Sequence, residues 1–236
     1  RNVELKPLRI QYADFAMWER QHLKTDALDK GLDYWKKHLH GAPSLLKLPM
    51  DKARPITQRH QGGSLPFVIN KGTSAKLHQL CSSSTSTPFM VLLSVYSLLL
   101  TRYSGQQDVV IGTPVANRER VELRELIGFF VNTLPLRISV TAGQTFIDLL
   151  EHVKQSTLAG LSHKDIPFEL IVDAVQPERS LGHSPLFQVL FVMHNTPSKT
   201  QDFGELSISP FETLNKSAKF DLTLAFEEVA GEFHGT

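Results

Sequence analysis

The segment Asp108-Val-Val-Ile-Gly-Thr-Pro-Val115 constrains the fold more than any other part of the chain, because it is β-branched and apolar on both faces. A strand with two apolar faces is stable only when other elements cover both sides of its sheet. A buried helix is predicted just before it. Thr87 is expected to cap this helix, which begins at Pro88, continues to about Tyr103 and stops at Gly105. Together they predict layers of helices packed against a sheet.

The rest of the chain adds helices and strands without strict alternation. Helical spacing of apolar residues predicts two helices, or one helix bent near Thr25, within residues 12–40. The other predicted elements are helices at 74–81, 146–158 and 168–175 and strands at 62–69, 132–140, 187–194 and 219–229. In the last strand, residues 220, 222, 224 and 226 are expected to share one face. We therefore expect an α/β fold, an α+β sandwich in which helices flank a mixed sheet.

Charge and cysteine content argue against several kinds of partner. Lys and Arg number 25 and Asp and Glu number 24, so no field of one sign favours nucleic acid or an anionic membrane. The longest apolar stretch, residues 89–100, is shorter than the roughly 20 residues that a membrane span requires. The single cysteine, Cys81, excludes an internal disulfide and favours a reducing, cytoplasmic location.

Both ends of the sequence resemble those of a piece cut from a longer protein. The chain begins with Arg1 rather than Met, and its first residues contain no apolar signal segment. Residues 228–236 are expected to contain the end of one strand, a tight turn and the start of another strand. We therefore expect the domain to be truncated at both ends.

Common catalytic signatures are missing from the sequence, including the P-loop, H-E-x-x-H and G-x-S-x-G. His22 and Asp26 have the H-x-x-x-D spacing of acyltransferases, in which the histidine is a general base. However, ten histidines produce such a spacing by chance, Gln21 precedes His22, and Ala27 replaces the expected glycine. We expect His22 and Asp26 to lie on a helix rather than on a loop beside a cavity.

Other charged residues have structural interpretations. His163 and Asp165 point to opposite faces if the segment is extended, which argues against a catalytic pair. We expect Asp165 to cap the helix predicted at 168–175 and His163 to bond to backbone. The arginines at 118, 120 and 124 lie among glutamates and are expected to form a solvated, salt-bridged face.

The segment Ile127-Gly-Phe-Phe-Val-Asn-Thr-Leu-Pro-Leu-Arg137 is the strongest indication of a functional site. It places Asn132 and Thr133 inside an apolar strand, where an amide and a hydroxyl are costly to bury unless they form hydrogen bonds. These two side chains therefore either stabilise the fold or line a cavity.

Four motifs in this order resemble the condensation domains of nonribosomal peptide synthetases. They are Tyr12-Ala-Asp-Phe-Ala-Met-Trp18, Ile127-Gly-Phe-Phe-Val-Asn-Thr133, His163-Lys-Asp-Ile-Pro-Phe-Glu169 and Arg179-Ser-Leu-Gly-His-Ser-Pro-Leu186, which continues into Phe187-Gln188. Together they cover nearly the whole chain. The fourth motif departs from the family, which has Asp in place of Ser180 and Arg-Asn in place of His183-Ser184. The second motif and residues 185–188 favour condensation over epimerization or heterocyclization.

The resemblance implies one chloramphenicol-acetyltransferase-like lobe of a two-lobed domain. In the family, the phosphopantetheine arms of upstream and downstream carrier proteins meet in a tunnel between the lobes. There the downstream aminoacyl amine attacks the upstream thioester and forms an amide. The family's H-H-x-x-x-D-G motif belongs to the N-terminal lobe, so residues 1–236 are expected to be a C-terminal lobe that is inactive alone. The resemblance also implies an adenylation domain in the parent chain, with no cofactor or metal bound directly to this lobe.

By position, the resemblance places Asn132 and Thr133 at the tunnel. It implies structural roles for the remaining motif residues, which are Tyr12, Asp14, Trp18, Gly128, His163, Asp165, Pro167, Phe168, Glu169 and Arg179. We expect Asn132 to face the missing lobe while Val131 and Leu134 pack into the core. Because residues 132 and 134 share a face in a regular strand, this requires a bulge or bend near Asn132. A free amide there would bond a substrate, and Asn132→Ala would lower turnover more than stability.

Two other functions fit the sequence. A non-catalytic module that docks a carrier protein would have a degenerate H-H-x-x-x-D-G motif in the upstream residues. A CoA-dependent acyltransferase of the same superfamily would require His22 and Asp26 to meet in a pocket.

Overall fold

The helices and strands follow the predicted order. The computed structural model describes residues 7–23, 26–118, 120–178, 180–194 and 216–236. The helices are α1 (Tyr12–His22), α2 (Asp26–Leu39), α3 (Lys71–Ser84), α4 (Pro88–Ser104), α5 (Phe146–Ser162) and α6 (Phe168–Val175). The strands are β1 (Phe67–Ile69), β2 (Asp108–Ala116), β3 (Val131–Ser139), β4 (Val189–His194), β5 (Leu222–Val229) and β6 (Glu232–Gly235). The strand predicted at 62–69 is shorter than expected.

Helix α4 begins and ends where local signals predict. The Thr87 hydroxyl accepts the Met90 N–H at 3.3 Å, Pro88 occupies the first turn, and Gly105 ends the helix with a φ of +70°. No single helix in the described ranges is long and apolar enough to cross a membrane. Helices α3 and α4 meet that criterion only as a pair, which is bent by 105° at its break.

The six strands form one mixed sheet, in the order β1-β6-β5-β4-β2-β3. Strands β2, β4 and β5 are parallel, whereas β3, β6 and β1 pair antiparallel with their neighbours. The carboxyl ends of β2, β4 and β5, at Ala116, His194 and Val229, therefore lie at one edge, called the carboxyl edge here. Strand β3 begins at this edge, because Val131 pairs with Ala116. The expected mixed sheet flanked by helices is confirmed.

One face of the sheet, called the helix face here, is covered by α3, α4 and α5. Phe191 contacts Phe89 and Tyr96 of α4 at ring-centroid distances of 5.2 and 5.8 Å. A Cβ added to Gly160 of α5 would lie 2.8 Å from Leu136 of β3. This close packing buries Phe191 and Leu136 completely. By the usual relation between buried apolar area and free energy, each side chain contributes about 2 kcal/mol to the free energy of unfolding.

The opposite face is called the open face here. Near the middle of β2 and the amino end of β4 it is covered by Phe187, whose ring would lie 2.3 Å from a Cβ at Gly112. Phe220 contacts Phe187 at 5.4 Å. The expectation that Phe220 shares a face with Phe226 is wrong, because β5 begins only after Phe220 and Phe226 packs on the helix face against Phe191.

Histidine side chains accept hydrogen bonds from backbone N–H groups on the outer edge of β3. The Arg137 N–H donates to His38 Nε2 at 3.1 Å, and the Ser139 N–H donates to His152 Nε2 at 3.4 Å. Pro135 has no N–H to satisfy, which suits an edge strand. Capping of this kind protects a sheet edge from pairing with another chain.

The protonation state of His38 follows from this contact. Burial, followed by the positive charges of Arg137 and His152, lowers the pKa of His38 to about 4, against a smaller opposing effect of Asp108. The neutral imidazole can accept the Arg137 N–H, whereas a protonated one cannot.

Candidate functional site

The first and second motifs are in direct contact at the carboxyl edge. The Tyr12 hydroxyl donates to the Phe129 carbonyl at 3.0 Å. A Cβ on Gly128 would lie 2.3 Å from the Tyr12 ring. Any side chain at position 128 would therefore displace Tyr12.

A small satellite core supports this contact. It consists of Phe15 from α1 with Leu123, Leu126 and Phe130 from the loop between β2 and β3. Arg118 donates to the Leu126 carbonyl at 2.6 Å and lies 4.3 Å above the Phe130 ring. The expectation of a salt-bridged face is therefore wrong for Arg118, because the loop offers it carbonyl oxygens and an aromatic ring.

Asn132 joins the second motif to the third. Its Nδ2 donates to the carbonyls of Lys164 and Ile166, at 2.7 Å each. Its Oδ1 accepts the N–H groups of Thr133 at 2.8 Å and Phe168 at 3.1 Å. The amide thus has both donors and its acceptor occupied by backbone groups of this chain.

This geometry corrects three expectations about the second motif. Pairing between β2 and β3 is regular from Asp108 opposite Ser139 to Ala116 opposite Val131, so no bulge forms near Asn132. Leu134 is buried as predicted, but Val131 is 46% exposed. The rationale of a free Asn132 amide is wrong, because the regular strand turns this side chain to the same face as Leu134, where it bonds to the turn between α5 and α6.

Helix α6 begins differently from the prediction. Its N-cap is Pro167, which provides no side-chain cap. The expectation that Asp165 caps the helix is wrong, because the side chain of Asn132 accepts the Phe168 N–H instead. Glu169 lies in the first turn of α6, where a negative charge suits the helix dipole.

His163 has a structural role at the end of α5. Its Nδ1–H donates to the Ala159 carbonyl at 2.9 Å, as the expected backbone bond requires. Its ring stacks on Tyr34 with centroids 4.0 Å apart and planes 3° apart. Its carbonyl accepts the Trp35 indole N–H at 3.2 Å. These contacts connect the third motif to α2.

A cavity of about 280 Å³ lies between the first and third motifs. Its lining residues are Phe15, Trp18, Glu19, His22, Leu23, Asn117, Arg120, Leu123 and Asp165. Burial raises the pKa of the Glu19 carboxyl, and the negative charge of Asp165 raises it further. A larger cavity, of about 480 Å³, is lined by some of the residues within 98–107 and 140–149, at the opposite end of the sheet and away from the motifs.

Trp18 lies at the surface of this cavity. It is 38% exposed, with the Arg120 guanidinium 4.3 Å from its ring and the His22 ring stacked 5.2 Å away. Asp14 has a simpler role in the same helix, since its carboxylate accepts the Gln11 N–H at 2.7 Å.

The H-x-x-x-D spacing spans the break between two helices. His22 is the last residue of α1 and Asp26 the first residue of α2, so both are helical, as predicted. Although it is helical, His22 lines the cavity beside Trp18, whereas Asp26 does not line it.

The fourth motif lies at the other end of the sheet, and its Arg179 is outside the described residues. Gln188 is buried and accepts the Leu46 N–H at 2.8 Å while donating to the Ser184 carbonyl at 3.0 Å. Phe187 contacts Phe168 at 5.4 Å, which joins the fourth motif to the third.

Part of the surface at the carboxyl edge is apolar. Ile127 is 95% exposed and Phe129 is 75% exposed, and Val121 is also exposed on the same loop. Exposed apolar groups clustered in this way mark an interaction surface. Thr133 and Val131 alternate with Asn132 and lie on the open face.

Some important contacts have no counterpart in the sequence motifs. Arg54 forms a bidentate ion pair with Asp221 and also donates to the Gly182 carbonyl at 3.3 Å. Tyr34 stacks against His163. A lone arginine within a proline-rich loop or a tyrosine within a helix has no spacing that identifies its partner.

Comparison with known proteins places this geometry in context. The profile of the family described as Condensation domain matches residues 1–235. Malpinin synthetase of Mortierella alpina is 46% identical over 228 residues, which are 96% of this chain and 3% of the synthetase. Phosphinothricin tripeptide synthetase PhsC of Streptomyces viridochromogenes is 43% identical over 236 aligned residues, covering 98% of this chain and 21% of that protein.

A solved structure shares the fold. The X-domain in its complex with OxyB from teicoplanin biosynthesis superimposes with a TM-score of 0.86 at 26% identity, covering 98% of this chain and 53% of that one. The chain thus spans about half the length of this neighbour and a small part of the synthetases.

Proposed function

This chain belongs to the condensation-domain family of nonribosomal peptide synthetases, and we propose that it takes part in forming an amide bond between two carrier-bound substrates. The donor would be an acyl or peptidyl thioester and the acceptor an aminoacyl thioester. Phosphopantetheine arms of the upstream and downstream carrier proteins would hold both. An adenylation domain of the parent chain would supply the amino acid, in the cytoplasm.

The proposed reaction joins the acceptor nitrogen to the donor carbonyl carbon. The amine must first be neutral; its attack then forms the C–N bond and breaks the donor C–S bond. The thiol of the upstream arm leaves with a proton, and the lengthened chain stays on the downstream arm. Positioning of the two arms is a large part of such catalysis, because it makes the encounter effectively intramolecular.

The convergence of the first three motifs at the carboxyl edge carries this proposal. Tyr12 contacts Gly128, and Asn132 bonds to the backbone from Lys164 to Phe168. Ligands of open sheets with parallel strands bind beyond the carboxyl ends of those strands. In this proposal, Asn132 holds the site together, and Thr133 on the open face is the motif side chain nearest the tunnel.

We further propose that the apolar surface of Val121, Ile127 and Phe129 is covered by the N-terminal lobe. The chain spans about half of the X-domain neighbour, so a partner of similar size would be available. Burial of these exposed side chains would help hold the lobes together. The general base would come from the H-H-x-x-x-D-G motif of that lobe.

The test compares two proteins. The complete domain, and residues 1–236 alone, are incubated with donor-loaded and acceptor-loaded carrier proteins, and dipeptidyl thioester is measured by mass spectrometry. We expect product only with the complete domain. No product from a folded complete domain would overturn the proposed amide formation, whereas product from residues 1–236 would overturn the need for the second lobe.

A docking module is the second candidate function. The X-domain has this fold and forms a complex with OxyB, which supports a binding role for a condensation-type domain. A complete domain that binds loaded carriers without making product would favour this role. The CoA-dependent acyltransferase has less support, because only His22 of the pair His22 and Asp26 lines the cavity.

A further inference from the structure

Tyr34 of α2 lies outside the four motifs but contacts the third one through its ring. The rings of Tyr34 and His163 lie face to face, with centroids 4.0 Å apart and planes 3° apart. Two flat rings at this separation are in van der Waals contact over much of their surface, so neither can turn without displacing the other. The Tyr34 ring therefore fixes the orientation of His163.

This contact depends on the ring of Tyr34 and not on its hydroxyl. Among the described residues, none forms a hydrogen bond with the Tyr34 hydroxyl, although its oxygen is buried. Burial also raises the pKa of Tyr34 to about 12, so the hydroxyl stays neutral at physiological pH. Phenylalanine at position 34 would therefore keep the ring contacts of this side chain.

Two hydrogen bonds hold the rest of His163 in the same place. The Trp35 indole N–H donates to the His163 carbonyl at 3.2 Å, and the Trp35 side chain is fully buried. The Nδ1–H of His163 donates to the Ala159 carbonyl of α5 at 2.9 Å. The ring face, the ring nitrogen and the carbonyl of His163 are thus each held by a different residue.

Helix α2 also contacts the third motif three residues farther along the chain. Gly31 lies one turn before Tyr34 in α2, and a Cβ added to it would lie 2.5 Å from the Ile166 side chain. The missing side chain at Gly31 lets Ile166 pack closely against the helix, where it is buried. Helix α2 therefore holds both ends of the segment 163–166.

The same segment provides partners for Asn132 of β3. The Asn132 Nδ2 donates to the carbonyls of Lys164 and Ile166, at 2.7 Å each. The Asn132 Oδ1 accepts the N–H of Thr133 at 2.8 Å. Thr133 is the side chain that the proposed function places nearest the tunnel. A continuous series of contacts thus connects α2, through the segment 163–166, to Thr133.

We propose that Tyr34 is a positioning residue for amide formation, which acts by fixing His163 and, through the turn that begins there, the position of Thr133. This inference rests on the proposed function. Tyr34 touches neither the substrates nor the reacting atoms, and the general base remains in the N-terminal lobe. Its effect comes from alignment, because a displacement of about 1 Å can slow such a reaction about 100-fold.

The experiment uses the complete synthetase with its acceptor carrier loaded, and adds the donor-loaded carrier at a series of concentrations. Single-turnover formation of dipeptidyl thioester is compared for the wild type, Tyr34→Leu and Tyr34→Phe. We expect Tyr34→Leu to lower the maximal rate by about tenfold or more and to leave the half-saturating carrier concentration within about twofold. Tyr34→Phe should stay within about twofold of the wild type, since it keeps the ring.

Two further variants separate positioning from folding. His163→Gln removes the same stack from the other side and should lower the maximal rate to a similar extent. Tyr103→Leu, at an exposed tyrosine near the end of α4, is the control and should keep the wild-type rate. All rates are measured at a temperature where circular dichroism shows that each variant is folded.

Three results would overturn this inference: a folded Tyr34→Leu with the wild-type maximal rate, a defect confined to the half-saturating concentration, or an equal loss of rate in Tyr34→Phe. If only one of Tyr34→Leu and His163→Gln folds, its maximal rate decides. Failure of both to fold would also overturn the inference, since the stack would then be a folding contact. A folded wild type that makes no product would instead overturn the proposed function.

Discussion

The Asn132 side chain caps a helix that begins 36 residues later: its Oδ1 accepts the Phe168 N–H at 3.1 Å, while its Nδ2 bonds to the carbonyls of Lys164 and Ile166. Pro167 leaves the first turn of α6 without a side-chain cap of its own. A side chain on β3 therefore caps this helix, a role that a residue next to the helix usually has. This makes Asn132 a tie between the sheet edge and the turn that follows α5.

Replacing Asn132 with Ala should lower stability first. The change leaves the Lys164 and Ile166 carbonyls and the Phe168 N–H without this partner, and we expect a loss of about 2–3 kcal/mol in the free energy of unfolding. Urea unfolding followed by circular dichroism measures it. Asn132→Asp, which keeps the acceptor but loses both donors, should also destabilise the fold. An unchanged midpoint for Asn132→Ala would contradict the structural role.

Gly128→Ala should weaken the contact between α1 and the loop before β3. The added Cβ would lie 2.3 Å from the Tyr12 ring, which must move and lose its bond to the Phe129 carbonyl. Overpacking of this kind costs about 1–3 kcal/mol. Gly63→Ala is a matched control, since nothing lies within 4 Å of its Cβ position. Equal effects of the two changes in thermal unfolding would count against this contact.

Stability should fall in mild acid because of His38. Its folded-state pKa, about 4, lies below the ordinary value of 6.5, so the unfolded chain takes up the proton more readily. The contribution of neutral His38 is complete above pH 6.5, decreases as the pH falls toward 4 and changes no further below 4. The difference between the pKa values of 6.5 and about 4 corresponds to about 3 kcal/mol in the free energy of unfolding.

The measurement for His38 is the free energy of unfolding at several pH values between 7 and 4, for the wild type and His38→Gln. Glutamine can accept the Arg137 N–H but does not titrate, so the difference between the two proteins isolates this histidine. We expect the wild type to lose more stability than the variant across this range. Parallel curves would show that protonation of His38 is not coupled to folding.

Ile127→Asp should separate the two lobes without unfolding this one. Ile127 is 95% exposed, so a charge there should change the stability of residues 1–236 by less than about 0.5 kcal/mol. In the complete domain the same charge would be buried against the N-terminal lobe and should reduce product formation at least tenfold. Glu125→Ala, at a nearby exposed residue, is the control. Full activity of Ile127→Asp would place the lobe interface elsewhere.

Local sequence was sufficient to predict most helices and strands. The cap of α4 at Thr87 and its end at Gly105 depend on neighbouring residues, so both were predicted correctly. Strand β2 was evident because its two apolar faces have a simple signature. The polar pair Asn132 and Thr133 was likewise evident as an anomaly within an apolar strand.

Only the tertiary structure decided which partners these residues have. The partners of Asn132 are backbone groups, which every residue has, so no sequence pattern could distinguish a tie to the turn after α5 from a free amide at a tunnel. The position of Glu227 between His194 and His234 in the sheet likewise depends on the register of three strands. The sequence by itself determined where strands and helices form, because those signals are local. The pairing of strands brings distant residues together, and it depends on the packing of the whole sheet.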